Sequence, residues 1–288
     1  MNKADKYFKE IMQEIITNGT FDENPRPYWL EEDGGHTPAH CKFITHKVMT
    51  YDLNKGEFPF LTLRPVAWKT GIKESLWIYQ DQSNSLDLLE DKYKVMYWGD
   101  WEVENSRTIG ARYGHTVKQY DLMNKLLKGL KEDPYGRRHI ISLWQEEEFI
   151  VDTKGLQPCA FITNWTVRKE RDEMFLDMVL MQRSSDFITA GAINQTQYVA
   201  LMLMVAKHCG YKVGKFTHFI TNVHCYDRHI SNAEIMLKRE SISCNPRLVL
   251  DTNKTNFYDF TIEDFKLVDY PLEEIKKTNP QLKFPLAI

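Results

Sequence analysis

Cys159 is the residue whose setting most strongly suggests covalent chemistry. It precedes an apolar, β-rich run, and a second such run, residues 174–180, leads towards Arg183. A hairpin that turns at Glu170 and Arg171 would pair the two runs and bring the thiol beside the guanidinium of Arg183. A neighbouring cation lowers the pKa of a thiol and favours the thiolate. The sequence predicts a nucleophile that iodoacetamide alkylates below the ordinary thiol pKa of about 8.5. The alternative is a small buried hydrophobe, which is what most free cysteines are.

A set of arginines could form an anion site. Arg137 and Arg138 follow a turn at 133–136 and lead straight into an apolar strand. Guanidinium groups match the geometry of a phosphate dianion, so several together would bind a nucleoside monophosphate. Each could instead be a solvated surface charge, which for Arg26 alone is the better interpretation. The candidates for the anion site are Arg26, Arg137, Arg138 and Arg183.

Four further residues carry polar groups in informative places. Glu74 lies in an apolar stretch with helical spacing, 68–80, and a buried carboxylate is costly without a task or a partner. A helix-surface glutamate is the plainer account. Asn194 stands at a predicted helix start, where the default role is an N-cap. His224 and Tyr226 alternate as on one face of a strand. Fingerprints for dinucleotides, nucleoside triphosphates and zinc hydrolases are missing from the sequence.

The elements that must position these residues interleave without a regular β-α-β rhythm. This favours an α+β fold, a mixed and predominantly antiparallel sheet packed by helices, in one domain over 1–288. Asn194–His208 is the most apolar predicted helix, and Gly210 ends it. The other predicted helices are 3–18, 68–80 and 116–131, and the other predicted strands are 40–53, 59–63 and 139–144.

Composition and charge exclude several classes of protein. The 288 residues are 42% hydrophobic, enough for a sizeable core, and the net charge of −3 argues against a general nucleic-acid binder. Five cysteines, an odd number without a Cys-x-x-Cys pair, disfavour a disulfide framework or a zinc site. The N-terminus lacks an apolar signal core, and the longest apolar stretch, 198–206, is too short to span a membrane. We therefore expect a reduced, cytoplasmic protein.

Several motifs agree in order and spacing with one known family. From Trp68 to the end, the chain closely resembles thymidylate synthase, a folate-dependent methyltransferase with a cysteine nucleophile. The segments that carry the resemblance are Glu74-Ser-Leu-Trp77, Trp98-Gly-Asp-Trp101, Arg112-Tyr-Gly114, Asp133-Pro-x-x-Arg137-Arg138, Pro158-Cys159, Gln182-Arg-Ser-x-Asp186, Asn194-x-x-x-Tyr198 and His224-x-Tyr226.

The resemblance implies the reaction. Cys159 would add to C6 of dUMP, and C5 would then attack the methylene of 5,10-methylenetetrahydrofolate. That cosubstrate would supply both the carbon and the hydride, so that dTMP and dihydrofolate leave. Neither NAD nor a metal would be needed, and no nucleic acid or membrane would take part.

The resemblance also implies how the phosphate is held. Arg183 and Ser184 would bind it, together with Arg26 from a flexible loop. Arg137 and Arg138 would reach across from the second subunit of a homodimer, so that each site would be shared between two copies.

Base, sugar and pterin would be bound at the ends of several elements. Asn194 would read the pyrimidine, because an amide can donate to O4 and accept from N3–H of uracil. His224 and Tyr226 would bind the 3′-hydroxyl of the sugar. Asp186 would serve both the nucleotide and the pterin, the latter against Trp98.

Proton transfer and closure complete the implied site. Glu74 would steer protons through water, alongside Tyr113. The apolar tail that ends at Ile288 would close over the folate and exclude water. The implied catalytic residues are Cys159, Glu74, Tyr113, Arg183 and Asn194.

Some positions depart from the family pattern. Ala160 stands where many members have histidine, and Arg26 is followed by Pro-Tyr-Trp instead of Thr-Gly. The loop 189–193 lacks Gly-x-Pro-Phe, and Thr221-Asn222 replaces Gly-Asp.

Two alternatives stay open at this point. The first is a hydroxymethylase of the same fold, in which water captures the methylene on dUMP or, less readily, dCMP. The second is a non-catalytic nucleotide- or RNA-binding protein, whose support is the set of arginines. A Cys159→Ser variant separates this second class from an enzyme.

Overall fold

The longest strands assemble into one mixed sheet in a computed structural model, which describes residues 1–151 and 155–288. The strands are β1 (Thr20–Phe21), β2 (Tyr28–Leu30), β3 (His36–Pro38), β4 (Cys41–Asp52), β5 (Ile140–Ser142), β6 (Ala160–Glu170), β7 (Glu173–Asp186), β8 (Lys212–Tyr226), β9 (Arg247–Leu250) and β10 (Phe265–Val268). The α-helices are α1 (Lys3–Asn18), α2 (Trp68–Ser75), α3 (Leu86–Tyr93), α4 (Gly114–Gln119), α5 (Leu122–Glu132), α6 (Glu146–Val151), α7 (Gly191–Cys209), α8 (Ile230–Lys238) and α9 (Leu272–Thr278).

The main sheet has six strands in the order β1-β4-β8-β7-β6-β5. β7 and β8 run parallel, and the other neighbouring pairs of this sheet are antiparallel. Parallel neighbours need a long crossover, which α7 supplies between β7 and β8. The predicted α+β fold with a mixed, predominantly antiparallel sheet is confirmed.

The hairpin predicted around Cys159 is confirmed as well. β6 and β7 pair from Ala160 opposite Gln182 down to Glu170 opposite Glu173. The chain turns at Arg171, which has a positive φ of 54°. One extra residue, Phe161, interrupts the register just after Cys159, as in a β-bulge.

The core lies between one face of this sheet and helices α1, α2 and α7. α7 is buried nearly all round, which explains why its sequence lacks a polar face. α2 approaches α7 closely at Gly71, where a Cβ would lie 2.8 Å from the carbonyl oxygen of Ile193. None of the helices in the described residues is long and apolar enough to cross a membrane.

The strand predicted at 59–63 is wrong. These residues form an irregular segment whose apolar side chains are nearly all buried, including Phe60 and Leu63. The backbone N–H and hydroxyl of Thr62 donate to the buried carboxylate of Asp5 on α1, at 2.8 and 2.6 Å. A side chain therefore takes the place of the neighbouring strand that the prediction implied.

Three predicted helices have different limits. The helix predicted at 116–131 is broken into α4 and α5, because Asp121 adopts a left-handed conformation. The one predicted at 68–80 ends in a π-helical turn, Leu76–Gln80. α7 begins at Gly191, so Asn194 lies within its first turn and the N-cap interpretation is wrong. The helix predicted at 3–18 is confirmed with both limits.

The turn before α4 is held by close backbone contact. Tyr113 has a positive φ of 50°. A Cβ on the next residue, Gly114, would lie 2.0 Å from the carbonyl oxygen of Ser83 and 2.4 Å from its nitrogen. Glycine is required here because backbone atoms cannot move aside as a flexible side chain can.

A Gly114→Ala substitution is therefore expected to destabilise the protein by about 2–3 kcal/mol, the cost of overpacking a rigid site. The measurement is the denaturant midpoint. Gly99→Ala is the matched control, since a Cβ there meets nothing within 4 Å. Equal midpoints for the two variants would contradict this account of the turn.

Candidate active site

Cys159 lies at the entrance of β6 and is held from both sides. Its carbonyl accepts from the backbone N–H of Arg183 at 2.9 Å, and its own N–H donates to the hydroxyl of Tyr113 at 3.2 Å. The guanidinium of Arg183 donates to the carbonyls of Pro158 and Gln157 at 3.0 and 2.7 Å. These bonds fix its Nη2 at 3.7 Å from Sγ of Cys159. The predicted thiol–guanidinium pair is present.

The expected pKa of this thiol needs correction. Burial raises the pKa of Cys159 above its ordinary value, while the charges of Arg183 and Arg26 lower it. Burial outweighs the two cations in the free chain, so the prediction of a lowered pKa is wrong. The sequence indicates the cations but not how much water the fold removes from the sulfur.

Glu74 is buried, with 3% of its surface exposed, so the helix-surface account is wrong. The hydroxyl of Tyr97 and the indole N–H of Trp98 both donate to Oε1. Burial raises the pKa of Glu74 to about 7, against the effect of the two donors. Oε2 is left to exchange a proton near neutral pH. Tyr97 was not predicted, because side-chain directions in the short turn that carries it cannot be read from periodicity.

Aromatic side chains connect Glu74 to the cysteine. The ring of Trp98 meets that of Tyr113 edge to face, with centroids 5.4 Å apart. Burial raises the pKa of Tyr198, on α7, and Tyr198 lies close enough to Glu74 and Cys159 for their charges to raise it further. These contacts make an apolar wall around a few polar atoms, which strengthens the electrostatic interactions within it.

The predicted anion site is partly assembled in the single chain. Arg26 is exposed, and its charge acts on Cys159. Ser184 is half-buried, two residues before the end of β7. Arg137 and Arg138 are exposed just before β5, and their side chains make no hydrogen bond or ion pair within the described residues.

The remaining predicted residues lie at the ends of the two parallel strands and at the start of α7. Asp186 is in register with His224, and Tyr226 ends β8. Asn194 presents its Oδ1 to the amide N–H of Gln182, at 3.2 Å. Strand ends and a helix start thus meet beside Cys159.

The C-terminal segment closes one side of this region. Ile288 exchanges two backbone hydrogen bonds with Tyr28, at 2.9 and 3.0 Å, two residues after Arg26. Nε2 of the buried His229 lies 2.9 Å from the carbonyl oxygen of Pro285, and its Nδ1 lies 3.6 Å from Oδ2 of Asp186. His229 was not predicted, since a single histidine in a short turn has no distinguishing pattern. Oδ1 of Asp186 is buried without a hydrogen-bond partner in the described chain.

No group of three or more His, Cys, Asp or Glu side chains in residues 1–151 and 155–288 is arranged to hold a metal ion.

Alkylation of Cys159 by iodoacetamide in the free protein is expected to follow a midpoint above the ordinary thiol value of about 8.5. Arg26→Gln should raise that midpoint further, because it removes a cation that favours the thiolate. A Cys159→Ser variant corrects for the half-buried Cys209 and Cys244, whose pKa values burial raises to about 11. A midpoint below 8.5 in the free protein would restore the original prediction.

Comparison with known proteins assigns this arrangement to a family. A family profile described as thymidylate synthase matches residues 6–288. Thymidylate synthases of Streptococcus gordonii and Streptococcus pneumoniae are each 53% identical over 289 residues, covering 100% of both chains. The solved structure of the thermostable thymidylate synthase A from Bacillus subtilis is 36% identical, with a TM-score of 0.86 over 99% of both chains. The match over nearly the whole chain shows that it belongs to the thymidylate synthase family.

Proposed function

We propose that this chain is a methyltransferase that converts dUMP to dTMP, with 5,10-methylenetetrahydrofolate as the source of the carbon and the hydride. The observation that carries the proposal is the thiol of Cys159 held 3.7 Å from the guanidinium of Arg183. Membership of the family and the names of the relatives support the same reaction.

Cys159 acts as the nucleophile. Its sulfur adds to C6 of the uracil ring, which makes C5 nucleophilic, and the carbon–sulfur bond breaks when the product leaves. The thiolate is disfavoured by burial in the free chain, so Arg183 and Arg26 supply the charge that opposes this cost. The same two arginines, with Ser184, bind the phosphate of dUMP.

Asn194, His224 and Tyr226 orient the nucleoside. The amide of Asn194 lies at the start of α7 and offers hydrogen bonds to the uracil edge. His224 and Tyr226, at the end of β8, bind the 3′-hydroxyl. Holding the uracil ring next to the fixed thiol lowers the entropic cost of bringing the two reacting groups together.

Glu74 transfers protons in the reaction, and Tyr113 acts beside it. A carboxyl with a pKa of about 7 can both give and take a proton at neutral pH, which is the condition for general acid–base catalysis. Tyr113 positions the peptide of Cys159 through its hydroxyl.

The chain offers groups that fit a reduced pterin. Oδ1 of Asp186 is a buried acceptor without a partner in the described chain, and a pterin N–H would satisfy it. Trp98 forms part of the apolar wall, and the segment that ends at Ile288 excludes water from that side. The folate supplies the one-carbon unit and the hydride when it is bound.

A homodimer completes the site. The sheet face opposite the helices carries exposed or half-buried apolar side chains, among them Val48, Val179, Ile140 and Phe219. A second copy covering this face would bury them and bring its own Arg137 and Arg138 to the phosphate. We also propose that residues 1–288 act as one catalytic domain in the cytoplasm. One continuous core, which includes both α1 and β10, supports the single domain.

Purified protein mixed with dUMP and 5,10-methylenetetrahydrofolate is expected to produce dihydrofolate, followed by its absorbance, together with dTMP. Cys159→Ser should lower kcat by about 10³-fold or more, because the covalent step is lost. Release of tetrahydrofolate with a hydroxymethyl product would identify a hydroxymethylase instead. An unchanged rate in Cys159→Ser would exclude catalysis through this cysteine.

Glu74→Gln is expected to lower kcat by about 10²–10⁴-fold and to remove the titration near pH 7 from the activity profile. The substitution should also change how the free energy of unfolding depends on pH. Because the folded pKa of Glu74 lies above its ordinary value of 4.5, protonated Glu74 stabilises the wild type fully below about pH 4.5. That contribution, about 3 kcal/mol at most, is lost as the pH rises to about 7.

Unfolding free energies of Glu74→Gln and wild type, measured by denaturant between pH 4.5 and 8, therefore test the buried carboxyl directly. The variant should gain stability relative to the wild type across this range. A pH-independent difference between the two would show that Glu74 has an ordinary pKa.

A further inference from the structure

Four side chains form a chain of polar contacts that includes the proposed base-reading amide of Asn194. Asn194 and Gln195 are neighbours on α7, Gln182 lies on β7 and His218 on β8. The successive contacts are Asn194 Oδ1 to Gln182 Nε2 at 3.2 Å, Gln182 Oε1 to His218 Nε2 at 2.8 Å, and His218 Nδ1 to Gln195 Nε2 at 3.3 Å. Three of the four members are buried, since Gln182, Gln195 and His218 are 1%, 4% and 0% exposed.

One backbone atom sets the direction of the hydrogen bonds along this chain of contacts. The amide of Gln182 also donates to the carbonyl oxygen of Ser184, at 2.9 Å. A carbonyl can only accept, so the amide nitrogen of Gln182 must face Ser184 and Asn194, and its oxygen must face His218. His218 must then carry its proton on Nε2, and its Nδ1 accepts from Gln195.

His218 is suited to hold this pattern without titrating. It is fully buried, and desolvation lowers its pKa to about 3. Its two hydrogen-bond partners, Gln182 and Gln195, are uncharged. The imidazole therefore stays neutral around neutral pH, with one donor and one acceptor in fixed places.

These hydrogen bonds fix the orientation of the side-chain amide of Asn194. Because the N–H of Gln182 faces Oδ1 of Asn194, the amino group of Asn194 is the end left to offer a donor. A donor suits O4 of uracil and opposes the amino group of cytosine. Turning the Asn194 amide over would place two N–H groups against each other and leave both unsatisfied beside the core.

We propose that His218 is a positioning residue for pyrimidine selection, which holds Gln182 and through it Asn194 in the orientation that accepts uracil and rejects cytosine. His218 lies behind Gln182 and acts through it. The proposal rests on the base-reading role of Asn194 proposed above, and it adds a residue on another strand that the sequence motifs do not contain.

A matched pair of variants tests this proposal. His218→Gln keeps an amide nitrogen near the place of Nε2, whereas His218→Met has similar length and no donor. The measured quantity is the ratio of the Ki of dCMP, as a competitive inhibitor, to the KM of dUMP. We expect His218→Met to lower this ratio about tenfold, the worth of one buried hydrogen bond, and His218→Gln to keep it within about twofold of the wild type.

The KM of the folate separates positioning from general damage. The KM of the folate should be alike in both variants, because only a loosened core would weaken the binding of both substrates. Equal ratios in His218→Met and His218→Gln, or a ratio in His218→Met equal to that of the wild type, would overturn the proposal.

Two further measurements keep the test decisive. In ¹⁵N-histidine-labelled wild type bound to dUMP, His218 should show the tautomer with the proton on Nε2, and a proton on Nδ1 would overturn the proposal even where His218→Met does not fold. Asn194→Asp should shift preference towards dCMP. If it does not, the base-reading role itself fails, whereas a shift with no difference between the His218 variants refutes only the role of His218.

Discussion

The hydrogen bond between the backbone N–H of Arg183 and the carbonyl of Cys159 is the interaction on which the rest of the site depends. It joins the entrance of β6 to the exit of β7, and so it sets the separation of the thiol and the guanidinium. Every other group is placed relative to that junction. Tyr113 holds the peptide nitrogen of Cys159 from the opposite side, and Gln182, one residue before Arg183, begins the chain of contacts to Asn194.

Burial tunes three titratable groups of this region in different directions. It raises the pKa of Cys159 and Glu74 and lowers that of His218, because in each case it disfavours the charged form. The consequences differ with the chemistry of each group. The thiolate needs arginines to offset the cost, the carboxyl gains a pKa close to neutral pH, and the imidazole loses its charge and becomes a fixed donor and acceptor. One apolar core therefore supports the proposed nucleophile, the proposed acid–base group and the proposed positioning residue.

Sequence reasoning predicts what depends on local pattern and fails where tertiary contacts decide. The hairpin beside Cys159 and the helix 3–18 follow from alternation, turn residues and helical spacing. The segment 59–63 was predicted as a short strand, but the carboxylate of Asp5 takes the place of a strand partner. The pKa of Cys159 depends on burial that no local window reveals. His218 lies in an ordinary strand, and its meaning appears only when β7, β8 and α7 are placed together.

The bulge at Phe161 makes the number of residues, and not only their identity, part of the active site. Between the bulge and the turn at Arg171, β6 and β7 pair in one continuous register. Cys159 lies on the other side of the bulge. Because successive strand residues face opposite sides of a sheet, the extra residue decides which side the end of β6 presents. Substitutions along β6 leave that parity untouched, but a single-residue insertion or deletion there would exchange the two faces. Evolution can therefore vary the composition of this strand far more freely than its length.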